Sequence, residues 1–192
     1  MSNFVAIYDA CVFYPAPVRD FLIRLARTNL FRARWTNQIH DEWIAALLRN
    51  RPDLTSEQLA RTRARANDAV PDCLVTGYEG LINGLNLPDA NDRHVLAAAI
   101  RCQAGVIVTT NIRDFPPEAL QPYGLEAQHP DDFINYLFDL SPTSPAKVCV
   151  AVKEQRLALK NPPQNIDQLL TTFQQHGLTT TVESLSTMTE LL

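Results

Sequence analysis

Glycine-rich loops are missing from this sequence, which has only six glycines in 192 residues. A Rossmann dinucleotide site needs a glycine fingerprint directly after its first strand, but the first apolar run here is followed by Asp9 to Phe13 without a glycine. The P-loop of NTPases and the G-x-S-x-G of serine hydrolases are also missing. These absences exclude the common nucleotide-binding and serine-hydrolase sites of α/β proteins.

Lysine and paired cysteines are scarce as well. The chain has three lysines against fourteen arginines, and its first lysine is Lys147. Phosphoaspartyl receivers and haloacid-dehalogenase-like phosphatases also end their first strand with an Asp, but both use a lysine late in the domain, which this chain lacks. The four cysteines contain no C-x-x-C pair, which argues against a zinc site or a disulfide framework and predicts reduced, mostly buried thiols.

Long hydrophobic runs are the third absence. No run approaches the ~20 apolar residues of a membrane span, and no basic stretch precedes the first apolar run as it would in a signal peptide. We therefore expect a cytoplasmic protein with no membrane partner. Its 192 residues predict one ordinary domain with an appendage.

Charge is distributed unevenly along the chain. The net charge of −4 argues against a nucleic-acid partner, but residues 1–65 hold ten arginines against six acids, while residues 66–192 hold seven basic residues against fifteen acids. The planar guanidinium group suits phosphate better than an ammonium does. The arginines of the first third could form a phosphate-facing rim, lie on solvated helix faces, or pair with an acidic protein.

Apolar runs alternate with helical periodicity over the first 140 residues, which predicts a parallel sheet of α/β type. Strands are predicted at 4–8, 32–35, 73–76, 106–109 and 125–128. After a linker at 141–145 the period is helical only, with helices predicted at 145–159, 166–176 and 180–191. The predicted organisation is a domain at 1–140, the linker, and a helical extension at 146–192.

Four carboxylates, Asp9, Glu42, Asp92 and Asp114, are predicted to meet at one edge of this sheet. Asp9 follows the first strand, and Asp114 follows the strand at 106–109. In open α/β sheets the ligand crevice lies outside the carboxyl ends of the strands. A cluster of oxygen ligands in that crevice indicates a divalent cation, either Mg²⁺ or Mn²⁺.

Each of these acids also has an ordinary structural interpretation. Asp9 could simply cap a helix, and Glu42 could lie on a solvated helix face. Asp89 and Asp92 both precede a helix, so we interpret Asp92 as the ligand and Asp89 as a cap or an outer-shell group. Asp114 could be the capping companion of a turn at Asn111.

Four segments in order resemble the motifs of the PIN-domain family, which consists of small metal-dependent ribonucleases. The resemblance covers about residues 3–138, and its longest motif is Leu87 to Ala99. The other three segments are Tyr8 to Val12, Ile39 to Trp43, and Val108 to Pro116.

This resemblance implies a three-layer α/β/α fold with a five-stranded parallel sheet and Mg²⁺ or Mn²⁺ in an acidic pocket. Asp9, Glu42 and Asp92 would form the carboxylate core, with Thr109 and Asn111 orienting ligands and waters. Asn111 stands where many members carry a fourth acid, so Asp114 shares that role. The implied reaction is attack of a metal-activated water on an RNA phosphodiester. The candidate RNA contacts are Arg32, Arg34, Arg93 and Arg113.

The size and type of the chain also resemble the VapC-like toxins of bacterial type II toxin–antitoxin pairs, and the helical tail resembles an extension found on some of them. This implies a cognate antitoxin as partner and a homodimer. Two alternatives stay open. One is a housekeeping or DNA-directed PIN nuclease without an antitoxin, and the other is a non-catalytic PIN scaffold that binds RNA or protein.

Overall fold

The computed structural model describes residues 4–192, which form two compact units. The first unit, here called the sheet unit, consists of the described residues up to Tyr14 together with Phe31–His129. The second, here called the helical unit, consists of Pro15–Leu30 and Pro130–Leu192. Each unit therefore contains two separate segments of the chain.

Residues 4–192 contain four strands and ten α-helices. The strands are β1 (Val5–Tyr8), β2 (Arg32–Arg34), β3 (Val106–Val108) and β4 (Glu126–Gln128). The helices are α1 (Ala10–Phe13), α2 (Ala16–Ala26), α3 (Asn37–Asn50), α4 (Ser56–Ala69), α5 (Arg93–Arg101), α6 (Pro117–Leu120), α7 (Pro130–Asp139), α8 (Ser144–Ala158), α9 (Ile166–Gln175) and α10 (Thr179–Ser186).

The sheet is parallel throughout and has the strand order β2-β1-β3-β4. The two central strands, β1 and β3, are in register with Ile7 opposite Ile107, and both of these side chains are fully buried. Strands buried on both faces are expected to be continuously apolar rather than alternating. The apolar runs at the centres of β1 and β3 meet that requirement, and the prediction of a parallel α/β sheet is confirmed.

The sheet has four strands rather than the predicted five, because the predicted third strand at 73–76 forms only one parallel bridge, between Trp35 and Leu74. Two backbone hydrogen bonds hold it, from Trp35 N to Cys73 O and from Val75 N to Trp35 O, each 2.9 Å long. β2 ends at Arg34, so it has no further backbone edge with which this segment could pair. Gly77 then adopts a φ of +72°, which turns the chain away from the sheet.

An aromatic cluster fixes α3 against the sheet. The rings of Phe13 and Trp43 stack with centroids 6.2 Å apart, and Trp43 Nε1 donates to His40 Nδ1 at 3.0 Å. His40 Nε2 therefore carries its hydrogen and donates to Asn67 Oδ1 at 2.9 Å, which also accepts from Trp35 Nε1 at 2.8 Å. Because these polar groups are buried and satisfied, they fix the rotation of α3 about its axis.

The helical unit has its own core. Phe21 of α2 stacks on Phe173 of α9, with ring centroids 4.8 Å apart and an interplanar angle of 12°. The buried Gln155 of α8 donates from Nε2 to the carbonyl oxygen of Pro17 at 3.0 Å. The early helix α2 thus packs against helices from the far end of the sequence.

The two compact units do not coincide with the predicted segments 1–140, 141–145 and 146–192. The segment Pro15–Leu30 belongs to the helical unit, which resumes at Pro130. The predicted linker overlaps α8, which begins at Ser144. Residues 1–3 of the predicted domain lie outside the described part of the chain. Among residues 4–192, no helix is long and apolar enough to cross a membrane.

Candidate active site

A cleft of about 410 Å³ lies at the carboxyl ends of the central strands. We call it the carboxylate cleft, because three of the four predicted acids, Asp9, Glu42 and Asp92, line it together with Asn111. Its other lining residues are Ala10, Cys11, Tyr14, Trp43 and Ala46. The sheet thus brings together residues that are up to about one hundred positions apart in sequence.

Asp9 is the most rigidly held of these acids. It follows β1, and only 3% of its surface is exposed. Its Oδ1 accepts the backbone N–H of Ala10 at 2.6 Å, which makes it the N-cap of α1. Its Oδ2 accepts the hydroxyl of Thr109 at 2.7 Å and the thiol of Cys11 at 3.1 Å. These hydrogen bonds fix the orientation of both oxygens of the Asp9 carboxylate.

Thr109 links the ends of the two central strands. Its side chain is fully buried, and its Oγ1 accepts the backbone N–H of Asn111 at 2.9 Å while donating to Asp9. A hydroxyl can donate once and accept twice, so one Thr109 side chain orders both the acid after β1 and the turn after β3. The structure therefore places Thr109 and Asn111 beside Asp9.

Cys11 also belongs to this cluster, although it was not among the predicted site residues. Its Sγ donates to Asp9, accepts the backbone N–H of Thr110 at 3.2 Å, and lies 3.3 Å from Thr109 Oγ1. Burial and the neighbouring charge of Asp9 raise the pKa of the thiol to about 12. Cys11 therefore supports Asp9 as a neutral donor, and its high pKa argues against a role as a nucleophile.

Glu42 reaches the cleft from α3 with 40% of its side chain exposed. Its Oε1 lies 2.8 Å from Nε2 of the buried His94, a pair that attracts when His94 is protonated. The contact does not meet hydrogen-bond geometry, and neither ring nitrogen of His94 has a hydrogen-bond partner among residues 4–192. The second contact of Glu42 is weaker, from Gln38 Nε2 at 3.3 Å.

Asp92 has a strongly perturbed acidity. It lies directly before α5, and its side chain makes no capping hydrogen bond. Burial raises the pKa of Asp92 to about 7, and the negative charges of Asp9, Asp89 and Asp114 add to the increase, while His94 opposes it. Like charges that converge on one carboxyl group make its ionisation unfavourable.

Asp89 and Asp114 surround Asp92 without lining the cleft. Asp89 accepts the backbone N–H of Asn91 at 2.8 Å and begins the short 3₁₀ turn before α5. This is the capping role that the sequence assigns to it. Asp114 ends a 3₁₀ turn that follows β3 and acts on Asp92 through its charge.

The donors of the cleft fit a hard divalent cation in their chemistry. Among residues 4–192, no three His, Cys, Asp or Glu side chains are arranged so as to enclose a metal ion by themselves. Mg²⁺ does not require this, because it keeps several waters and takes one or two protein carboxylates together with substrate oxygens. Asp9 and Asp92 provide such oxygens, and a cation would relieve the repulsion that raises the pKa of Asp92.

The structure separates the four candidate RNA-binding arginines. Arg93 begins α5 next to Asp92, and the exposed Arg113 precedes Asp114, so both lie near the carboxylate cleft. Arg32 and Arg34 lie instead along β2 and line a different groove, away from the cleft.

Sequence reasoning missed the placement of Cys11 and His94 in the site. The available signal for Cys11 was its position two residues after Asp9. A side chain so close to the end of a strand can contact the acid that follows the strand. The ring of the buried His94 lies against Glu42, with Nε2 2.8 Å from Oε1. That contact joins residues from α3 and α5 and is invisible to local patterns.

Comparison with known proteins agrees with this geometry. The profile of the PIN domain matches residues 5–113, and that of the VapC50 C-terminal domain matches residues 130–187. The chain is also similar to "Putative ribonuclease VapC50" of Mycobacterium tuberculosis (strain ATCC 25618 / H37Rv), with 46% identity over 87 residues. That alignment covers 43% of this chain and 51% of the relative, so it spans about half the length of the relative. No solved structure gives a significant match. Because the PIN profile covers more than half of its residues, the chain belongs to the PIN-domain family and continues into a region like the VapC50 C-terminal domain.

Proposed function

We propose that this protein is a divalent-metal-dependent endoribonuclease that acts as the toxin of a bacterial toxin–antitoxin pair. The observation that carries the proposal is the convergence of acids on Asp92, whose pKa rises to about 7 among Asp9, Asp89 and Asp114. A fold that keeps repelling carboxylates in one cleft has a use for a cation there. In this family, the same cleft is where RNA is hydrolysed.

Asp9 and Asp92 would hold the cation, with Glu42 as the third ligand. When bound, Mg²⁺ or Mn²⁺ lowers the pKa of a water nucleophile and neutralises charge on a phosphodiester. Asp9 is ready for this role because Ala10 and Thr109 fix both of its oxygens. Oδ1 still has a second lone pair that can accept a further ligand, whereas Oδ2 already accepts from both Thr109 and Cys11.

Asp92 and Glu42 contribute in different ways. With its pKa raised to about 7, Asp92 is only partly ionised near neutral pH, and a bound cation would favour its ionised form, because the positive charge would offset the neighbouring acids. Glu42 is more exposed and lies against His94, which sets the direction of its carboxylate. Asn111, which lines the same cleft, presents a neutral amide where a phosphate oxygen or a water needs a hydrogen-bond donor.

RNA is the proposed substrate because the similar mycobacterial protein bears the name of a ribonuclease. The proposed biological partner is a cognate antitoxin that occupies the cleft, and the proposed assembly is a homodimer. Both proposals rest on the resemblance of the chain to VapC-like toxins. The proposed site of action is the cytoplasm.

The test is cleavage of cellular RNA by the purified protein with Mg²⁺ or Mn²⁺, together with growth after induced expression. Asp9→Asn removes a charged ligand and should abolish both cleavage and growth arrest. Asp41→Asn is the matched control, because Asp41 is exposed and pairs with Arg63 on the surface, where such a pair contributes about 1 kcal/mol or less. This control should keep full activity.

Two results would overturn the proposal. The first is cleavage by Asp9→Asn at the rate of the wild type. The second is selective cleavage of DNA, which would make the protein a DNA-directed PIN nuclease. Sequencing the ends of RNA fragments after induction would identify the target in the same experiment.

A further inference from the structure

A second groove, of about 480 Å³, lies at the opposite end of the sheet from the carboxylate cleft. Three arginines line it, Arg32 and Arg34 from β2 and Arg101 from the end of α5, and we call it the arginine groove. Val5 at the start of β1 also lines it, whereas Asp9 follows the end of the same strand. The rise along the strand separates Val5 from Asp9 by about 13 Å.

The three guanidinium groups of the arginine groove have no carboxylate partner in the described part of the chain. Among residues 4–192, none of them forms an ion pair with a carboxylate or donates a side-chain hydrogen bond. Two other arginines of the sheet unit are paired, since Arg51 bonds to Asp53 at 2.7 Å and Arg63 bonds to Asp41 at 2.7 Å. The groove contains one acid, Asp72, against its three positive charges.

Regular secondary structure holds these arginines in place. Arg32 and Arg34 are two residues apart on β2, so they project from the same face of the strand. Burial raises the pKa of both Cys73 and Cys102, and the positive charge of Arg34 acts against this increase at both thiols. Arg34 therefore lies within electrostatic reach of both walls of the groove.

Arg101 approaches from the other wall. Its Nε would lie 3.6 Å from a Cβ placed on Gly77, the residue that turns the chain after the bridge at Leu74. The presence of Arg101 can be explained without a ligand, because a cation in the last turn of α5 complements the helix dipole. The presence of Arg32 can likewise be explained by its exposure to solvent. Neither explains why three unpaired arginines share one groove.

An arrangement of this kind fits phosphate. The guanidinium fork binds phosphate oxygens in a bidentate manner, and Thr76 and Gln103 add neutral hydrogen-bonding groups to the lining. An acidic protein segment would offer similar charge, but protein interfaces rely on buried aromatic or aliphatic anchors. The lining of this groove is more polar than apolar, which favours a nucleic-acid backbone.

We propose that the arginine groove binds backbone phosphates of the RNA strand whose scissile bond occupies the carboxylate cleft. The inference rests on the proposed ribonuclease function and adds a second contact region to it. α5 connects the two regions, because Asp92 precedes its first residue and Arg101 is its last. Acids at one end supply the chemistry, and arginines at the other end supply affinity that does not depend on sequence.

The test compares two double variants that lose the same charge. Arg34→Gln/Arg101→Gln removes two arginines of the groove, and Arg61→Gln/Arg65→Gln removes two exposed arginines of α4. Binding of a labelled single-stranded RNA is measured by fluorescence anisotropy in EDTA over a series of salt concentrations. Without divalent metal, binding is separated from cleavage.

The groove variant should bind RNA about tenfold more weakly at 0.1 M salt, and its plot of log Kobs against log salt should be shallower by about 1.4. This value corresponds to about 0.7 for each lost phosphate contact on a single strand. The α4 variant should keep the wild-type slope. Arg34→Lys/Arg101→Lys should also keep most of it, which shows that charge rather than altered folding is responsible.

Equal slopes for the wild type and the groove variant would overturn the inference, and so would equal losses in the two double variants. Loss of binding to a partner protein with unchanged RNA binding would overturn it in favour of an acidic protein ligand. Cleavage with Mn²⁺ tests the proposed function separately. If the wild type binds RNA through the groove without cleaving it, the inference about the groove stands and the proposed ribonuclease function fails. If the groove variant cleaves RNA with an unchanged KM, the ribonuclease function stands and the inference about the groove fails.

Discussion

Two acids located at helix starts, one in each unit, have opposite surroundings. Asp131 of the helical unit is buried, and its two oxygens accept the backbone N–H groups of Thr180 and Thr181 at the start of α10, each at 2.8 Å. Asp92 of the sheet unit precedes α5 and caps nothing. Burial raises the pKa of both acids, but the hydrogen bonds from Thr181 and Thr180 outweigh it for Asp131, whose pKa is lowered. The pKa of Asp92 is raised to about 7.

The difference separates an acid that stabilises the fold from one that destabilises it in the absence of a ligand. The first N–H groups of a helix have no partner within the helix, and Asp131 satisfies two of them for α10. Asp92 faces other acids instead, so its ionisation costs the folded protein free energy. The first arrangement suits a structural role, and the second suits a cation-binding role.

The largest expected effect is on catalysis by Asp92→Asn. Removing this ligand charge should lower RNA cleavage by about 10²–10³-fold, the usual loss when one electrostatic contact to the reacting groups is removed. Asp89→Asn is the neighbouring control, because Asp89 caps a turn outside the cleft and its replacement should cost far less. Initial rates with Mn²⁺ measure both variants. Equal losses would show that the assignment of the two acids is wrong.

A smaller loss of activity is expected from Thr109→Val. This change keeps the shape of the side chain but removes the hydroxyl that donates to Asp9 and accepts from Asn111. Removal of a group that orients a metal ligand typically costs 10–100-fold in metal affinity or activity. Thr110→Val is the control, since the side chain of Thr110 is exposed. Titration with Mn²⁺ should show weaker binding for Thr109→Val only.

Stability should respond most to Asp131→Ala. The change removes two charge-assisted hydrogen bonds to α10, so the free energy of unfolding should fall by about 2–3 kcal/mol. Asp132→Ala replaces the next residue, which is exposed, and should change it by less than about 0.5 kcal/mol. Urea denaturation measures both variants. Cleavage per folded molecule should be unchanged in Asp131→Ala.

The pH dependence of stability should differ between the two acids. The pKa of Asp92 rises from its ordinary value of 3.8 to about 7 on folding, so the folded protein binds more protons in this interval. Its contribution therefore lowers the free energy of unfolding as the pH rises from about 4 to 7. Asp131 acts in the opposite sense, since its stabilisation is present above its ordinary pKa and is lost as the pH falls through its lowered value.

Asp92→Asn should remove the decrease between pH 4 and 7 in metal-free protein and should make the protein more stable than the wild type at pH 8. Thermal unfolding in EDTA across this range measures the effect. If the wild type and Asp92→Asn show the same dependence of stability on pH in this interval, Asp92 does not titrate as the structure indicates.

The smallest expected effect concerns the thiols. Burial and the charge of Asp9 raise the pKa of Cys11 to about 12. Burial also raises the pKa of Cys149 in the helical unit, and a backbone hydrogen bond partly opposes this increase. Because the thiolate is the reactive form, both should react slowly with iodoacetamide at pH 8 in the folded protein and quickly in urea. Mass spectrometry of the labelled peptides measures this. Rapid native labelling of Cys11 would contradict the hydrogen bonds around Asp9.

Local patterns predicted the elements of the fold well. The predicted strand at 106–109 is observed at Val106–Val108, and the predicted helix at 166–176 is observed at Ile166–Gln175. Thr36 caps α3 by accepting from Ile39 N, and Thr55 and Gln58 form a capping box at the start of α4. Apolar periodicity and capping are properties of neighbouring residues, so the sequence alone reveals them.

Features that depend on distant residues could not be predicted. The third strand requires a partner edge, and β2 ends too early to provide one beyond the bridge at Trp35. The grouping of α2 with α8 and α9 requires knowledge of where Phe21 finds its partner. In the site, the four acids could be placed at one sheet edge, but the contact between Glu42 and His94 could not.

The pairing of Phe21 with Phe173 has a consequence for biosynthesis. Domains generally fold during synthesis as their residues leave the ribosome. α2 emerges early, but its apolar face cannot be covered within the helical unit until α8 and α9 have been translated. The sheet unit, which carries every predicted acid, is translated before that point. A nascent chain therefore contains all the residues of the carboxylate cleft before the helices that cover α2 have been translated.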